Sequence, residues 1–318
     1  MRIRAFIAGL GLLISSGACL SQPYPNKPVR FIVGFAAGSS IENLTRLILD
    51  DISKRTDAVF VVEQRPGALG VIGLNAVAKA PPDGYTLMPS SSATHSSAPQ
   101  LTKVATADPV KDFTHLGAID RFDLMLVVNG ASGVKTVEDL VSEAKTKKLN
   151  YGYGSATGQV GGSAFVQAAG ISGQVTGVPY KSQPLALTDL LGGQVQFATS
   201  DLPSVKALVQ NGKLTALAVT GDKRSTLFPN VPTLTERGVK AELIGWVGFA
   251  GPAGLPEEVR NWWQKNISIT LNKPEIIEEL KNRGVEPHLL FGAAFERFVA
   301  DQYQVWGRHI REAGLKPE

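Results

Sequence analysis

The residues best placed to do chemistry in this sequence are two runs of small side chains. The first, Ala36-Ala37-Gly38-Ser39-Ser40, follows a stretch from Val29 to Phe35 that is apolar at almost every position, and precedes Ile41, Leu44, Leu47, Ile48 and Ile52 at helical spacing. That pattern reads as a strand covered on both faces, a turn and a helix. Ser39 and Glu42 have the spacing of a capping box, which sets the helix start. The second run, Gly152-Tyr153-Gly154-Ser155-Ala156-Thr157-Gly158, follows a strand ending at Tyr151 and leads into a small-residue helix from Val160 to Ala169. Turns of this kind expose backbone N–H groups at the positive end of a helix, where an anion can approach the main chain closely. Either turn alone could simply connect a strand to a helix. Two in one chain suggest one acidic ligand held from two sides. Glu42 reads first as a capping carboxylate. A direct role for it would fit an amino or hydroxyl group on the ligand, because an unprotonated carboxylate repels an anion.

Catalytic sets are incomplete. Ser132 to Lys135 and Ser142 to Lys145 both match SxxK, but neither SDN nor KTG accompanies them. No GxSxG elbow is present, and His95, His115, His288 and His309 are too widely spaced for a metal-ligand pattern. Gly152-x-Gly154-x-x-x-Gly158 has one residue too many for a dinucleotide fingerprint, and no acidic residue closes the following strand at Val178. The sequence therefore implies no metal and no cofactor, and points to a binding protein. An exported hydrolase or transferase on a similar two-lobed scaffold is the alternative.

The 318 residues exceed one typical domain and can bury a sizeable core without disulfides. Net charge is +4, part of it from Arg2 and Arg4 near the N-terminus, which is too little for a nucleic-acid partner. Arg2 and Arg4 precede an apolar stretch from Ala5 to Ile14, too short to span a bilayer, and then Ser15-Ser16-Gly17-Ala18. Residues 1–21 read as a signal peptide of an exported protein. Cys19 is the only cysteine, and Ser16 stands where a lipobox usually has Leu, so lipid anchoring is the less favoured fate of Cys19.

Strand and helix patterns alternate nearly throughout the rest. Strands are expected at 59–63, 85–88, 116–128, 149–153, 174–178, 194–199, 214–220 and 241–249. Helices are expected at 71–79, 136–147, 160–169, 184–191, 203–210, 257–271 and 294–311, and residues 90–109 read as a polar loop. Alternating strands and helices argue for parallel sheets. The simplest architecture is two α/β lobes, with the chain crossing near 120–130 and returning near 240. Trp246, Trp262 and Trp263 read as core residues, and Trp246, at the return, is the best of them for a pocket wall.

A set of segments in order resembles the substrate-binding proteins of tripartite tricarboxylate transporters, also called the Bug family. They are YPNKPVRFIVGFAAGSSIEN, VVEQRPGALGVIGLNAVAKAPPDGYTL, DPVKDF, VPYKS, ALTDLLGGQVQF, NGKLTALAVTGDKRS, PNVPTL and GPAGLP. The resemblance implies a periplasmic, two-lobed α/β binding protein of the type II class, each lobe a mainly parallel sheet flanked by helices. It implies lobe 1 over 22–125 plus 242–318 and lobe 2 over 126–241. It further implies a monomer that delivers a small organic carboxylate to integral-membrane transporter subunits. The family grips its carboxylate with two loops. The first corresponds here to Phe35, Ala37, Gly38, Ser39, Ser40, Ile41 and Glu42, without the family's two prolines and with Ile41 for a threonine. The second corresponds to Tyr153, Gly154, Ser155, Ala156, Thr157, Gly158 and Gln159, with Gly161 and Gly162 where a histidine is usual. Ser91, Ser92 and His95 match a pocket-lining loop. Tyr180 lies in the VPYKS segment, and Ser200 occupies the usual aspartate position with Asp201 adjacent. An apolar Ile41 at the rim favours a ligand with one well-held carboxylate and an apolar body over densely polar acids such as citrate.

Overall fold

The computed structural model describes residues 23–317, so the expected signal peptide and Cys19 lie outside the described residues. The chain begins β1 (Val29–Val33), α1 (Ser40–Thr56), β2 (Phe60–Gln64), α2 (Val71–Ala78), β3 (Thr86–Ser91), α3 (Ala98–Leu101), β4 (Phe113–Asn129). It continues α4 (Val137–Thr146), β5 (Leu149–Tyr153), α5 (Ala156–Ala168), β6 (Val175–Pro179), α6 (Gln183–Leu191), β7 (Phe197–Asp201), α7 (Leu202–Gln210), β8 (Leu214–Val219). It closes with β9 (Ile244–Pro252), α8 (Glu257–Leu271), α9 (Pro274–Asn282) and α10 (Gly292–Glu312). The strands lie in the order β2-β1-β3-β9-β4-β7-β5-β6, with β8 also paired to β4.

This is an α/β fold of two lobes joined by strands. β1 is parallel to β2 and β3, and β5 is parallel to β6 and β7, as βαβ connections require. Every antiparallel pairing involves β4 or β9. The long β4 pairs with β9 as far as Asp123 and with β7 from Leu124 onward. Its register on β9 shifts twice, between His115 and Gly117 and between Ala118 and Asp120. Such bulges bend a strand and re-aim its side chains, commonly beside functional sites.

One core cluster packs Phe31, Val33, Leu44 and Ile48 against Phe249, Trp263 and Ile267. Another packs Leu124 and Leu126 against Tyr151, Val160, Phe165 and Phe197. Each such side chain contributes about 1.5–3 kcal/mol by leaving water. The end of α10 joins the second cluster through Trp306 and Ile310, and the Trp306 indole donates to the Ile244 carbonyl at 3.3 Å. The C-terminal helix therefore braces both lobes.

The expected cap at Thr136 is present: its hydroxyl accepts from Asp139 N at 3.1 Å, and Asp139 accepts from Thr136 N at 3.0 Å. Two segments differ from expectation. Residues 90–109 are not simply a loop, because β3 runs on to Ser91 and Ser92–Ser97 forms a π-helical turn leading into α3. Its Ser and Thr side chains give no apolar period to read. Helix α5 starts at Ala156, earlier than Val160, because Ser155 Oγ accepts from Gly158 N at 3.1 Å and sets the cap there.

Glycines let α5 lie close on the sheet. A Cβ at Gly161 would stand 2.8 Å from Leu124 Cδ1 and from Thr199 Oγ1, and one at Gly162 would overlap the Tyr151 ring. A histidine does not fit at either place. Tyr151 is held by Ser163 at 2.7 Å and stacks on Phe197, so it has little room to yield. Alanine in a helix gains about 1 kcal/mol over glycine, but overpacking costs about 1–3 kcal/mol. Gly162→Ala should therefore lower the denaturant midpoint, while Gly173→Ala, whose added carbon meets open space, should leave it nearly unchanged. Equal midpoints for the two variants would show that the α5 contact is not tight.

Candidate ligand-binding cleft

The first small-residue run joins β1 to α1, and its base is set by a close main-chain approach. A Cβ at Gly34 would lie 2.8 Å from the Gly70 carbonyl oxygen. Ala68 and Leu69, in the RPGALG segment, take φ of 46° and 57°, a left-handed conformation that costs about 1–2 kcal/mol per residue outside glycine. The segment thus holds a strained corner against the loop. Glu42 pins the loop from behind. It accepts from Gly38 N at 2.9 Å, from Gln64 Nε2 at 2.7 Å and from Arg46 at 2.8 Å. Burial pushes its carboxyl up, but Arg46, Gly38 N–H and Gln64 outweigh this and hold it below the ordinary value. The expected capping box is thereby corrected: Glu42 caps Gly38 rather than Ser39, and Ser39 Oγ makes no cap bond. Glu42 does not line the cleft.

The second run joins β5 to α5. Gly154 N donates to Gln183 Oε1 at 3.0 Å, and a Cβ at Gly154 would fall on the Ser182–Gln183 backbone. This loop and the start of α6 therefore lie main chain against main chain. The N-terminal ends of α1, α5, α6 and α7 all border one cleft of about 680 Å³. The first N–H groups of an α-helix have no intrahelical acceptor. Those of Ser40 and Ile41 in α1, and of Ala156 and Thr157 in α5, have no protein acceptor among the described residues.

Of the residues expected at the site, Phe35, Ala37, Gly38, Ser39, Ser40, Ile41, Ser91, Ser92, Gly154, Ser155, Thr157 and Asp201 line this cleft. The others lie elsewhere. His95 is fully buried beside Phe113 and His115, with Nδ1 2.9 Å from Thr94 Oγ1, and burial drives its pKa well below the usual value, so it is a neutral core residue. Ala156, Gly158 and Gln159 are drawn into the first turn of α5. Tyr153 is also outside the lining, and Tyr180 turns away to donate to Asp189 at 2.8 Å. Ser200 faces into the protein at 2% exposure, so Asp201 rather than Ser200 borders the cleft. Trp246 is a core residue packed on Phe295 and Phe298; its neighbour Val247 lines the cleft.

Several lining residues carried no signal in the sequence. Gln183 is nine-tenths buried, and its Nε2 has no protein partner while Oε1 holds Gly154. Asp120 and Phe122 reach the cleft from the bulged part of β4. Leu187, Leu191, Leu208, Val247 and Val285 form an apolar wall, and Lys181 and Arg283 stand at the border. Burial raises the Asp120 carboxyl well above its ordinary range, with Glu286 and Asp201 adding to the rise. Burial also raises Asp201, against the hydroxyls of Ser204 and, from across the cleft, Ser40.

Comparison with known proteins agrees with this geometry. Residues 44–315 match the tripartite tricarboxylate transporter family receptor, and the chain belongs to that family. The first anion loop lies just ahead of the matched span. A UPF0065 protein from the gbd 5′ region of Cupriavidus necator is 30% identical over 98% of this chain and 95% of its own length. BugT of Bordetella pertussis is 28% identical over 99% of both chains. Among solved structures, R. palustris Rpa4515 with adipate superposes with a TM-score of 0.85 at 30% identity, covering 93% of this chain and all of its own. The periplasmic binding protein BugD gives 0.84 at 28%, covering 93% of this chain and all of its own. The family consists of solute-binding receptors, not enzymes. Among the described residues, no helix is long and apolar enough to cross a membrane.

Asp123, on β4 next to Phe122, offers a pH test. Burial and the nearby Glu286 lift its pKa to about 6, against the pull of Arg121. The folded value exceeds the unfolded value of about 3.9. Its contribution to stability is therefore full below about pH 4 and lost as pH rises through 6. Asp123→Asn should raise the melting temperature at pH 8 by a few degrees, on the order of 1–2 kcal/mol, and by much less at pH 4.5. An equal effect at both pH values would mean that Asp123 titrates normally.

Proposed function

We propose that this protein is an exported solute receptor that captures an organic carboxylate in the cleft and delivers it to integral-membrane subunits of a tripartite tricarboxylate-type transporter. The observation that carries the reading is the convergence of open helix N-termini, with unpaired N–H groups on α1 and α5, around one cleft. Adipate in the structure of Rpa4515 supports a carboxylate as the ligand class. Charge-assisted hydrogen bonds contribute roughly 1.5–3 kcal/mol each, so a few of them suffice for micromolar binding near about −8 kcal/mol after ordering costs. Ile41 at the cleft and the apolar wall beyond it favour a ligand with an apolar body.

In this reading residues 1–21 direct export, the protein acts as a monomer, and the lobes divide near 125 and 242. The partner change of β4 between Asp123 and Leu124 supports that division. Donors on both sides favour closure, since only a closed cleft satisfies the anion fully. Nothing supports the hydrolase or transferase alternative: no histidine or cysteine is among the cleft-lining residues described, and the family consists of receptors.

Ser40 is the first residue of α1, and Ser39 before it has φ −64° and ψ 151°, a conformation that tolerates a following proline. Ser40→Pro therefore removes one N–H donor with little cost to the helix. Calorimetric titration with adipate should show affinity reduced by roughly tenfold or more relative to Ser40→Ala, with similar melting temperatures. Equal affinities for Ser40→Pro and Ser40→Ala would remove α1 from the binding site.

A further inference from the structure

The charges that line the cleft are unusual for a site that takes only an anion. Two carboxyls face it, Asp120 from the bulge of β4 and Asp201 from the end of β7. Asp120 is 2% exposed. Its donors are main-chain N–H groups, those of Glu286 at 3.2 Å and of Arg121. The Arg121 side chain points elsewhere, to Asp222 at 2.9 Å. Both oxygens of Asp201 accept from the Ser204 hydroxyl at 2.9 Å, and the Ser40 hydroxyl donates to it as well. Neither carboxyl forms an ion pair with a lysine or arginine among the described residues. Of the two bordering cations, Arg283 is engaged by Glu279 at 2.7 Å, and Lys181 is solvent-exposed.

Holding a buried carboxyl, Asp120, near a half-buried one, Asp201, without a cation is costly, and a purely anionic ligand makes it worse. The same cleft carries a separate donor without a partner, the buried Nε2 of Gln183, beside the starts of α5 and α6. The lining thus holds unpartnered donors as well as two carboxyls. The apolar wall of Leu187, Leu191 and Val247 belongs to the same cavity.

We propose that the cleft selects a zwitterion: an acid whose carboxylate meets the helix N-termini and Gln183, and whose cationic nitrogen meets Asp120 and Asp201. The ligand class is then an amino acid or an amine-bearing acid with an apolar body, and Asp120 and Asp201 are specificity-determining residues. This rests on the carboxylate reading above. An ammonium group supplies the positive charge that these two carboxyls lack. The competing arrangement is a pair of neutral, protonated carboxyls donating to a second ligand carboxylate.

Calorimetry with matched acids separates these. Caproate, adipate and ε-aminocaproate share a chain and differ at the far end; phenylpropionate and phenylalanine differ by one amino group. The proposal predicts that the amino member binds roughly tenfold tighter or better in at least one set. In Asp120→Asn, with folding read independently from its melting curve, that ratio should fall to about one. Amino-free acids binding as tightly in both sets, or adipate binding tightest of all, would overturn the zwitterion while leaving the carboxylate reading intact. A wild-type ratio in folded Asp120→Asn would overturn it too. Failure of every acid to bind would remove both readings together.

Discussion

A helix leaves its first N–H groups without partners, and much of this architecture decides where those groups face. Each lobe is built from parallel strands followed by helices, so helix starts gather at the carboxyl ends of the strands. Joining the lobes through β4 and β9 brings the starts of α1, α5, α6 and α7 to one cleft. The small residues at these positions follow from that demand. Gly154 lets one loop touch the backbone of another, and Gly34 lets the first loop sit on Gly70. Glu42 does the corresponding work for charge. It satisfies Gly38 and is itself neutralised by Arg46, so the loop is fixed without placing a free carboxylate at the ligand.

Much of this was legible in the sequence because it rests on local rules. The apolar run before Ala36 and the helical spacing after Ile41 give β1 and α1, and Thr136 with Asp139 gives the cap of α4. The receptor family was legible from the order of its segments, and both small-residue loops border the cleft. What was illegible depends on tertiary contact. The π-helical turn at Ser92–Ser97 has no apolar period, and Asp120 reaches the cleft through a bulge that no local pattern announces. Gln183 looks like an ordinary helix start until Gly154 N is found on its Oε1. His95 matches the family's pocket-lining loop in sequence, but the π-helical turn folds it inward against Phe113 and His115.

The cleft departs from a simple anion trap in a consistent way. Its donors are backbone N–H groups and an amide, which bind charge without bringing a counter-charge of their own. Its two acids, Asp120 and Asp201, lie on or beside β4, where both lobes share a strand. Glu286 takes part as well: its N–H holds Asp120, and its carboxylate accepts from Thr226 at 2.7 Å, linking residues on either side of the crossing.

A crystal structure of the protein grown with adipate is the most direct measurement. The account predicts one carboxylate with its oxygens about 3 Å from main-chain nitrogens of Ser40 or Ile41 on one side and of Ala156 or Thr157 on the other. A carboxylate bound away from these helix starts, held only by Lys181 or Arg283 at the border, would contradict it.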